Sequence, residues 1–198
     1  MAGKKKTILI TGGLGHIGSN LMKVILSKRK FNLVILDNLL TQRYPSLYSR
    51  YNKNFFKFYN LSILDPNIEN IFKKVDTVIH LAAIVDAANS FDKSKDVKLI
   101  NYIGTKNIVH LCSKYNCNLI FPSTTSVYGS QNKLVDENTL QKNLNCQSPY
   151  AEYKLKAENY IIRYAKKNNL NFIILRLGTI YGASIGMRFH TAVNKFCW

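Results

Sequence analysis

The sequence predicts an α/β fold in which one parallel sheet is doubly wound, with helices on both of its faces. Three observations predict it. Short apolar runs rich in β-branched residues recur along the chain, helical patterns alternate with them, and the first run ends in a glycine-rich turn. Apolar runs of this kind are typical of strands buried on both faces, as parallel strands are.

The first strand, its turn and the first helix lie between Thr7 and Leu26. Thr7–Ile10 is the apolar run, glycines follow at 12, 15 and 18, and helical periodicity runs from His16 to Leu26. In such a turn one glycine permits the bend, one lets the backbone approach a pyrophosphate, and one lets the helix pack on the strand. The helix N-terminus offers N–H groups and a positive dipole to an anion. Together these features predict a dinucleotide-binding domain of the Rossmann type.

The second strand, Leu33–Leu36, ends at an acid, Asp37. Asp37 follows the glycine turn by about 20 residues in the sequence. In this fold an acid at that spacing hydrogen-bonds to the adenosine ribose. A carboxylate there accepts hydrogen bonds from the ribose and repels a 2′-phosphate. Because Asn38 follows and no arginine stands beside it, the sequence favours NAD over NADP. The alternative is an aspartate that only caps a turn or a helix.

The remaining strands and helices alternate. Strands are predicted over Asn54–Tyr59, Val75–His80, Asn118–Pro122 and Asn171–Leu175. Helices are predicted to end near Phe72 and to span Asp96–Tyr115 and Tyr150–Lys167, the last with Ser148 as its N-cap and Pro149 as its first residue. Residues 41–53 are interpreted as a surface loop or short helix, and residues 131–147 as a polar, turn-rich segment.

Composition narrows the class of protein. At 198 residues, with 46% hydrophobic and 20% charged residues, the chain is long enough for one globular domain or slightly more. No apolar run reaches the ~18 residues of a membrane span. The net charge of +17 comes from lysines scattered over every segment, which disfavours a nucleic-acid partner and suits an anionic nucleotide substrate.

The N-terminus and the cysteines indicate the compartment. Lys4–Lys6 leads directly into the first strand, so a signal peptide would have to be cleaved inside that strand. The four cysteines show neither a C-x-x-C motif nor metal-ligand spacing with the histidines, which predicts reduced, mostly buried thiols and no metal site. A cytoplasmic protein is therefore expected.

Tyr150 and Lys154 are four residues apart, so both project from one face of their predicted helix. A phenol titrates near pH ~10, too high for a base at neutral pH. A lysine ammonium one turn away, together with the positive nicotinamide ring, would lower the pKa of the phenol. A hydroxyl from the end of the fifth strand could hold the substrate oxygen. This pair predicts a tyrosine general base.

These motifs resemble those of the extended short-chain dehydrogenase/reductase family, the NAD-dependent nucleotide-sugar epimerases and dehydratases. The resemblance covers residues 7–182 in the family's order and spacing. Its matching stretches are TGGLGHIG, the Asp37 strand end, VIHLAA (78–83), NYIGTKN (101–107), STTSVYG (123–129), SPYAEYKLKAE (148–158) and LRLGTIYG (175–182).

The resemblance implies Tyr150 as the catalytic base, Lys154 as its partner and ribose ligand, and Thr124 as the third catalytic hydroxyl. It also implies a set of cofactor-binding residues along the carboxyl ends of the strands. Besides Tyr150 and Lys154, these are Gly12, Gly15, His16, Ile17, Gly18, Asp37, Asn38, Ser62, Ile63, Leu81, Ala82, Ala83 and Asn101.

The activity that the resemblance implies is epimerisation of a nucleotide-diphosphate sugar through transient oxidation by NAD. Dehydratases and decarboxylases of the family carry an acid where this chain has Thr125 and Ser126, which disfavours elimination. Ser62 replaces a common adenine-binding aspartate, and Gly178–Thr179 replaces an aromatic-Asn pair, so the sugar stays open. A dehydratase or reductase of the same family, and a non-catalytic NAD-binding, sensing or interaction protein, are the alternatives.

Members of this family continue beyond the point where this chain ends. The resemblance therefore predicts a NAD-binding domain over residues 1–182 and, over 183–198, the start of a substrate lobe that is largely missing. Four apolar residues near the end are expected to be exposed: Met187, Phe189, Phe196 and Trp198. We expect such a chain to bind NAD, to turn over sugar nucleotides poorly and to self-associate, with a homodimer as one outcome.

Overall fold

The computed structural model describes residues 5–48, 56–85, 90–131, 134–139, 143–188 and 192–197. Within these ranges six strands are formed: β1 (Thr7–Thr11), β2 (Asn32–Asp37), β3 (Phe56–Asn60), β4 (Thr77–His80), β5 (Asn118–Thr124) and β6 (Phe172–Leu177). They build one sheet in the order β3-β2-β1-β4-β5-β6, and every neighbouring pair is parallel. The predicted doubly wound parallel sheet is confirmed.

The strand order reverses between β1 and β4, which are neighbours in the sheet although β2 and β3 separate them in sequence. At such a switch point the connections leave in opposite directions and open a crevice outside the carboxyl ends of the strands. Thr11 pairs with His80 at that edge, so the glycine turn after β1 lies beside the segment that follows β4.

The helices lie between the strands. They are α1 (His16–Lys28), α2 (Glu69–Phe72), α3 (Ser94–Val97), α4 (Thr105–Lys114), α5 (Pro149–Ala165) and α6 (Ala192–Phe196), with 3-10 turns over Tyr44–Leu47, Pro66–Ile68 and Thr125–Val127. The hydroxyl of Ser148 accepts a hydrogen bond from the N–H of Ala151 and Pro149 begins α5, which confirms the predicted cap.

The predicted helix over Asp96–Tyr115 is helical but not uniform. Its middle, Lys98–Gly104, is π-helical and joins α3 to α4. π-turns often mark functional positions, because the wider turn re-aims the side chains that it carries. Here it carries Asn101, which is 1% exposed. It also carries Gly104, where a Cβ would lie 2.4 Å from the Cδ1 of Ile63.

Two hydrophobic clusters cover the two faces of the sheet. One packs α2, α4 and α5 against residues such as Leu9, Val78 and Phe121. The other packs α1 against Ile10 and Ile35. Burial of apolar side chains on both faces explains why inner strands such as β1 and β2 are continuous apolar runs rather than alternating ones. The sheet thereby forms a rigid floor for the crevice at its carboxyl edge.

Several of the predicted strand, loop and exposed residues lie outside the described ranges. Asn54 and Phe55, predicted to begin the third strand, lie outside the described residues, as do residues 49–53 of the loop and the predicted exposed residues Phe189 and Trp198. Phe196 is 86% exposed, as predicted, whereas Met187 is half-buried.

All four cysteines are free thiols. Cys112 and Cys117 are buried, Cys146 is half-buried and Cys197 is exposed. Burial raises the pKa of the Cys112 and Cys117 thiols. In the part of the chain that the structure describes, no helix has both the length and the apolar character that crossing a membrane requires.

Candidate active site at the carboxyl edge of the sheet

A single crevice of about 1040 Å³ runs along the carboxyl edge of the sheet. It brings together nearly all the residues predicted for the site. Those that line it are Gly12, Gly15, His16, Ile17, Gly18, Asp37, Asn38, Ser62, Ile63, Leu81, Ala82, Ala83, Thr124, Tyr150 and Lys154. The predicted residue that is not among its lining residues is Asn101.

The glycine turn shows why glycine is needed at its positions. Gly12 has φ +65°, and a Cβ there would lie 2.6 Å from the backbone N of Ala82. At Gly18 a Cβ would lie 2.4 Å from the carbonyl oxygen of Gly13, so α1 packs directly on the turn. At Gly15, in contrast, the nearest atom would be 3.4 Å away, which leaves that side open to the crevice. The turn therefore combines two tight backbone contacts with one open approach.

The N-terminus of α1 fits an anionic group. Gly15 is its N-cap and provides no side-chain cap, and the first turn contains no acid. The first N–H groups of a helix lack intrahelical acceptors, and the dipole adds partial positive charge at this end. With the open side of Gly15 facing the crevice, this end suits a pyrophosphate.

Asp37 lies at the end of β2 and is held by two backbone donors. Its Oδ2 accepts a hydrogen bond from the N–H of Leu14 at 3.1 Å, and its Oδ1 accepts one from the N–H of Leu39 at 2.9 Å. Each carboxylate oxygen has two lone pairs, so each retains capacity for a ribose hydroxyl. The carboxylate is thus fixed in direction and still able to bind a diol.

An arginine that the local sequence around Asp37 did not reveal also reaches this end of the crevice. Arg43 lines it, and its Nη1 donates to the carbonyl oxygen of Met187 at 2.8 Å. Burial lowers the pKa of the Arg43 guanidinium, and the charge of Asp37 opposes that shift. A turn closed by the hydrogen bond from the N–H of Gln42 to the carbonyl oxygen of Leu39 separates the two residues, so the residues next to Asp37 in the sequence gave no signal of Arg43.

The wall formed by residues 81–84 is positioned by a buried hydrogen-bond relay that sequence reasoning missed. His80 is 1% exposed and bonds Thr11 Oγ1 through Nδ1 at 2.7 Å and Thr105 Oγ1 through Nε2 at 3.0 Å. Because the Thr105 hydroxyl donates to the carbonyl oxygen of Asn101, it accepts from His80, which assigns the proton to Nε2. Burial lowers the pKa of His80 to about 3, so the imidazole is neutral.

The same relay extends to both ends of the wall. Thr11 Oγ1 accepts a hydrogen bond from the N–H of Ala82 at 3.3 Å. The Asn101 amide clamps Ile84 at both backbone groups: Oδ1 accepts from its N–H and Nδ2 donates to its carbonyl, each at 2.8 Å. Asn101 therefore lies behind the crevice wall instead of lining the crevice, because both of its amide groups are used to hold that wall.

The hydroxyl groups of Thr124 and Tyr150 meet at the opposite end of the crevice. Thr124 is the last residue of β5, and its hydroxyl accepts from the N–H of Ser126 at 3.1 Å and donates to the Ser126 hydroxyl at 3.0 Å. The Thr124 hydroxyl acts to lower the pKa of the Tyr150 phenol. The burial of Tyr150 outweighs this effect, so the net direction of its pKa is upward.

Lys154 lies one turn further along α5 and is 4% exposed. Its Nζ donates to the carbonyl oxygen of Pro122 at 2.5 Å and lies 4.0 Å from the centroid of the Phe121 ring. Burial lowers the pKa of this ammonium to about 7. The sequence predicted that Lys154 and the nicotinamide charge together would lower the pKa of Tyr150. In the structure the cation that lowers it is Arg188, which sequence reasoning did not select.

The arrangement of residues in the crevice agrees with the family to which the sequence is matched. A family model described as the NAD dependent epimerase/dehydratase family matches residues 8–197. The chain therefore belongs to the NAD-dependent epimerase/dehydratase family, whose cofactor is NAD.

Individual relatives show the range of this family. The dTDP-D-glucose 4,6-dehydratase of Dictyostelium discoideum is 37% identical over 190 residues, which covers 88% of this chain and 44% of that protein. The CDP-paratose 2-epimerase of Salmonella typhi is 31% identical over 217 aligned positions, which covers 96% of this chain and 62% of that protein. This chain thus spans about half the length of these curated relatives.

Among solved structures, the UDP-glucuronic acid 4-epimerase from Bacillus cereus, in complex with UDP-glucuronic acid and NAD, is similar with a TM-score of 0.87 and 28% identity. The match covers 95% of this chain and 60% of that one.

Proposed function

We propose that this chain binds NAD along the crevice and contributes the catalytic residues of a nucleotide-sugar epimerase that acts by transient oxidation. The observation that carries the proposal is the convergence of Tyr150, Thr124 and Lys154 at one end of a crevice whose other end holds the glycine turn and Asp37. The NAD-binding residues and a proton-transfer group thus share one cavity. A protein that only binds or senses NAD would not need Tyr150, Thr124 and Lys154 beside the cofactor.

The proposed role of each residue is based on its position in the crevice. NAD, when bound, supplies the oxidant that takes a hydride from the sugar carbon and later returns it. Tyr150 takes the proton of the sugar hydroxyl and gives it back, while the Thr124 hydroxyl orients that sugar oxygen. Asp37 holds the adenosine ribose, and the uncapped N-terminus of α1 holds the pyrophosphate.

Lys154 has a role that depends on where its ammonium lies. Buried against Pro122 and Phe121 with a pKa near 7, it loses its proton readily. We propose that it turns from the Pro122 carbonyl toward the ribose when NAD is bound. Its charge would then lower the pKa of Tyr150, as the spacing of the two residues on α5 predicts.

Epimerisation is favoured over elimination by the chemistry of the crevice. Thr125 and Ser126 follow Thr124 at the catalytic end, and neither can act as a carboxylic acid or a carboxylate base. Among the described residues that line the crevice, the acids are Asp37 on β2 and Asp96 on α3. The dehydratase among the relatives shows that the family includes elimination, whereas the two residues that follow Thr124 in this chain carry hydroxyls and no carboxyl group.

The test is Tyr150→Phe in an NAD-loaded protein that also carries a substrate lobe, because turnover by this chain alone is expected to be poor. The protein is assayed with UDP- and dTDP-sugars by product analysis and by NAD reduction. The variant should keep its NAD affinity and lose turnover by roughly 10²–10⁴, the usual effect of removing a general base. Tyr153→Phe is the matched control, because Tyr153 lies on the same helix beside Lys156 and does not line the crevice. Equal turnover of Tyr150→Phe and the unmutated chain would refute the assignment of the base.

A further inference from the structure

The amino edge of the sheet, opposite the crevice, carries a row of exposed lysines. Because neighbouring strands are parallel, the segments that lead into them lie side by side at this edge. The segments before β2, β1, β4, β5 and β6 all contribute to the row. Its members are Lys28 and Lys30, Lys5 and Lys6, Lys73 and Lys74, Lys114, and Lys166 and Lys167. Lysines that are scattered along the sequence are thus gathered by the fold on one surface, which we call the lysine row.

Backbone hydrogen bonds hold neighbouring segments of the lysine row together. The N–H of Asn32 donates to the carbonyl oxygen of Lys6, and the N–H of Asn118 donates to the carbonyl oxygen of Asp76, each at 2.9 Å. Adjacent strands lie about 4.8 Å apart, so the row extends over about 19 Å from β2 to β6. The lysine row is therefore a line of positive charge along a rigid edge.

Little negative charge opposes the lysine row. Glu69 pairs with Lys114, the one member of the row that forms an ion pair in the part of the chain that the structure describes. Asp76 precedes β4, and its Oδ2 accepts from the N–H of Thr7 at 2.7 Å. Other acids, such as Asp37, line the crevice at the opposite edge. The two edges of the sheet therefore differ in charge.

Helix dipoles explain only part of the lysine row. A helix C-terminus favours a nearby cation, which accounts for Lys28 and Lys114 in the last turns of α1 and α4. Other members of the row lie outside helices: Lys5, Lys6, Lys30, Lys74 and Lys167. These lysines neutralise no helix terminus, and their charges face solvent.

A small polar pocket lies at one end of the lysine row, where β5 and β6 begin. Its volume is about 240 Å³, and it is lined by Asn116, Cys117, Asn169 and Asn171. The side chains of the three asparagines form no hydrogen bonds with other described residues. Each amide therefore offers both a donor and an acceptor to a ligand.

The lysine row and the pocket together fit a single-stranded nucleic acid. A line of lysines matches the repeating phosphates of an extended strand. Amide side chains donate to and accept from the edges of bases, and those edges are accessible where a base is unpaired. A membrane surface would be favoured by large apolar side chains beside the lysines, and the described segments of the row expose none.

We propose that the lysine row and the asparagine pocket bind a single-stranded nucleic acid, with phosphates along the lysines and one unpaired base in the pocket. This site lies at the edge opposite the crevice and does not depend on the proposed function. If each of the five segments contacts one phosphate, the logarithm of the association constant should fall with the logarithm of the salt concentration with a slope of about −3.5.

The test is fluorescence anisotropy of a labelled, unstructured single-stranded RNA of about 20 nucleotides, titrated with the 198-residue chain between about 20 and 100 mM salt. Lys73→Gln/Lys74→Gln, in the middle of the row, should weaken binding roughly 5-fold at 0.1 M salt and reduce the salt slope by about 0.7. The matched control is Lys95→Gln/Lys98→Gln, which removes the same charge from exposed residues that do not line the crevice. It should weaken binding less than about 2-fold, and equal losses in the two double variants would show that only net charge matters and overturn the proposal.

Asn169→Ala/Asn171→Ala tests the pocket. It should weaken binding of the single strand at least roughly 5-fold and leave binding of a duplex of the same sequence unchanged, because paired bases cannot enter the pocket. An equal loss for both probes would mean that no base is bound there and that the single-strand assignment is wrong.

Competition and vesicle assays separate the proposed site from other sites and partners. Saturating NAD and UDP-glucose should not displace the RNA, and displacement would place the RNA in the crevice and overturn the proposal. Failure of the chain to bind the RNA at about 20 mM salt overturns it as well. If the chain then sediments with vesicles of phosphatidylcholine and phosphatidylserine, and Lys73→Gln/Lys74→Gln does not, the lysine row binds membranes instead.

Discussion

Acid should destabilise this protein through His80, a buried imidazole held neutral between two threonine hydroxyls. Its pKa is about 3 in the folded chain and about 6.5 in the unfolded chain, so between these values only the unfolded state binds the proton. The contribution of neutral His80 to the free energy of unfolding is therefore fully present above pH ~6.5. It is lost progressively as the pH falls toward 3. Between about pH 7 and about pH 5 the loss amounts to about 2 kcal/mol.

The measurement is urea unfolding of the unmutated chain and of His80→Gln at both pH values. Glutamine keeps a donor and an acceptor but does not titrate, so the free energy of unfolding of the variant should fall by about 2 kcal/mol less over this range. The carboxylates and Lys154 contribute equally to the pH dependence of both proteins. Their contributions therefore cancel when the free energies of unfolding of the two proteins are subtracted. His110→Gln is the control, because His110 is exposed on α4 and should change the pH dependence much less. Identical pH dependence of His80→Gln and the unmutated chain would show that His80 is not held neutral by the fold.

Two further predictions concern the cofactor and the attachment of β6. NAD should bind at least 10-fold more tightly than NADP, a gap of ~1.4 kcal/mol, and Asp37→Ala should narrow it in a fluorescence titration; equal affinities in the unmutated chain would contradict this. Arg176→Met should lower the free energy of unfolding by about 3–5 kcal/mol, because it leaves the buried carboxylate of Glu158, now bound by Arg176 Nη2 at 2.7 Å, without its partner. Breaking the exposed pair with Lys114→Met should have no resolvable effect in the same unfolding assay, and an equal loss in both variants would refute the argument from burial.

The sequence predicted the features that depend on local pattern. Apolar runs located the six strands within a few residues. The inner strands are apolar throughout because they are buried on both faces, whereas the edge strand β6 is apolar although Ile173 and Leu175 are exposed. The glycine turn, the Ser148 cap and the position of Asp37 were predictable because each depends on the chemistry of a few adjacent residues. The helical spacing of Tyr150 and Lys154 likewise placed both at the crevice.

Contacts between distant segments were not predictable in this way. His16 and Gly182 lie 166 residues apart along the chain, and neither carries a pattern that points to the other. The relay around His80 needs β1, β4 and the π-helical segment to be packed before its partners meet. Asn101 matched a family position, but only the packed structure shows that its amide is used by the backbone of Ile84.

The sequence by itself therefore determined the parallel sheet, the glycine turn after β1 and the placement of Tyr150 and Lys154 on one face of α5, since these follow from backbone conformation and periodicity. Only the tertiary structure decided the electrostatics of the site. Whether Tyr150 is favoured as a phenolate depends on its burial, on the direction of the Lys154 ammonium and on the approach of Arg188 from the loop after β6. The strength of a charge interaction is set by distance and by exclusion of water, and both exist only once the chain has packed.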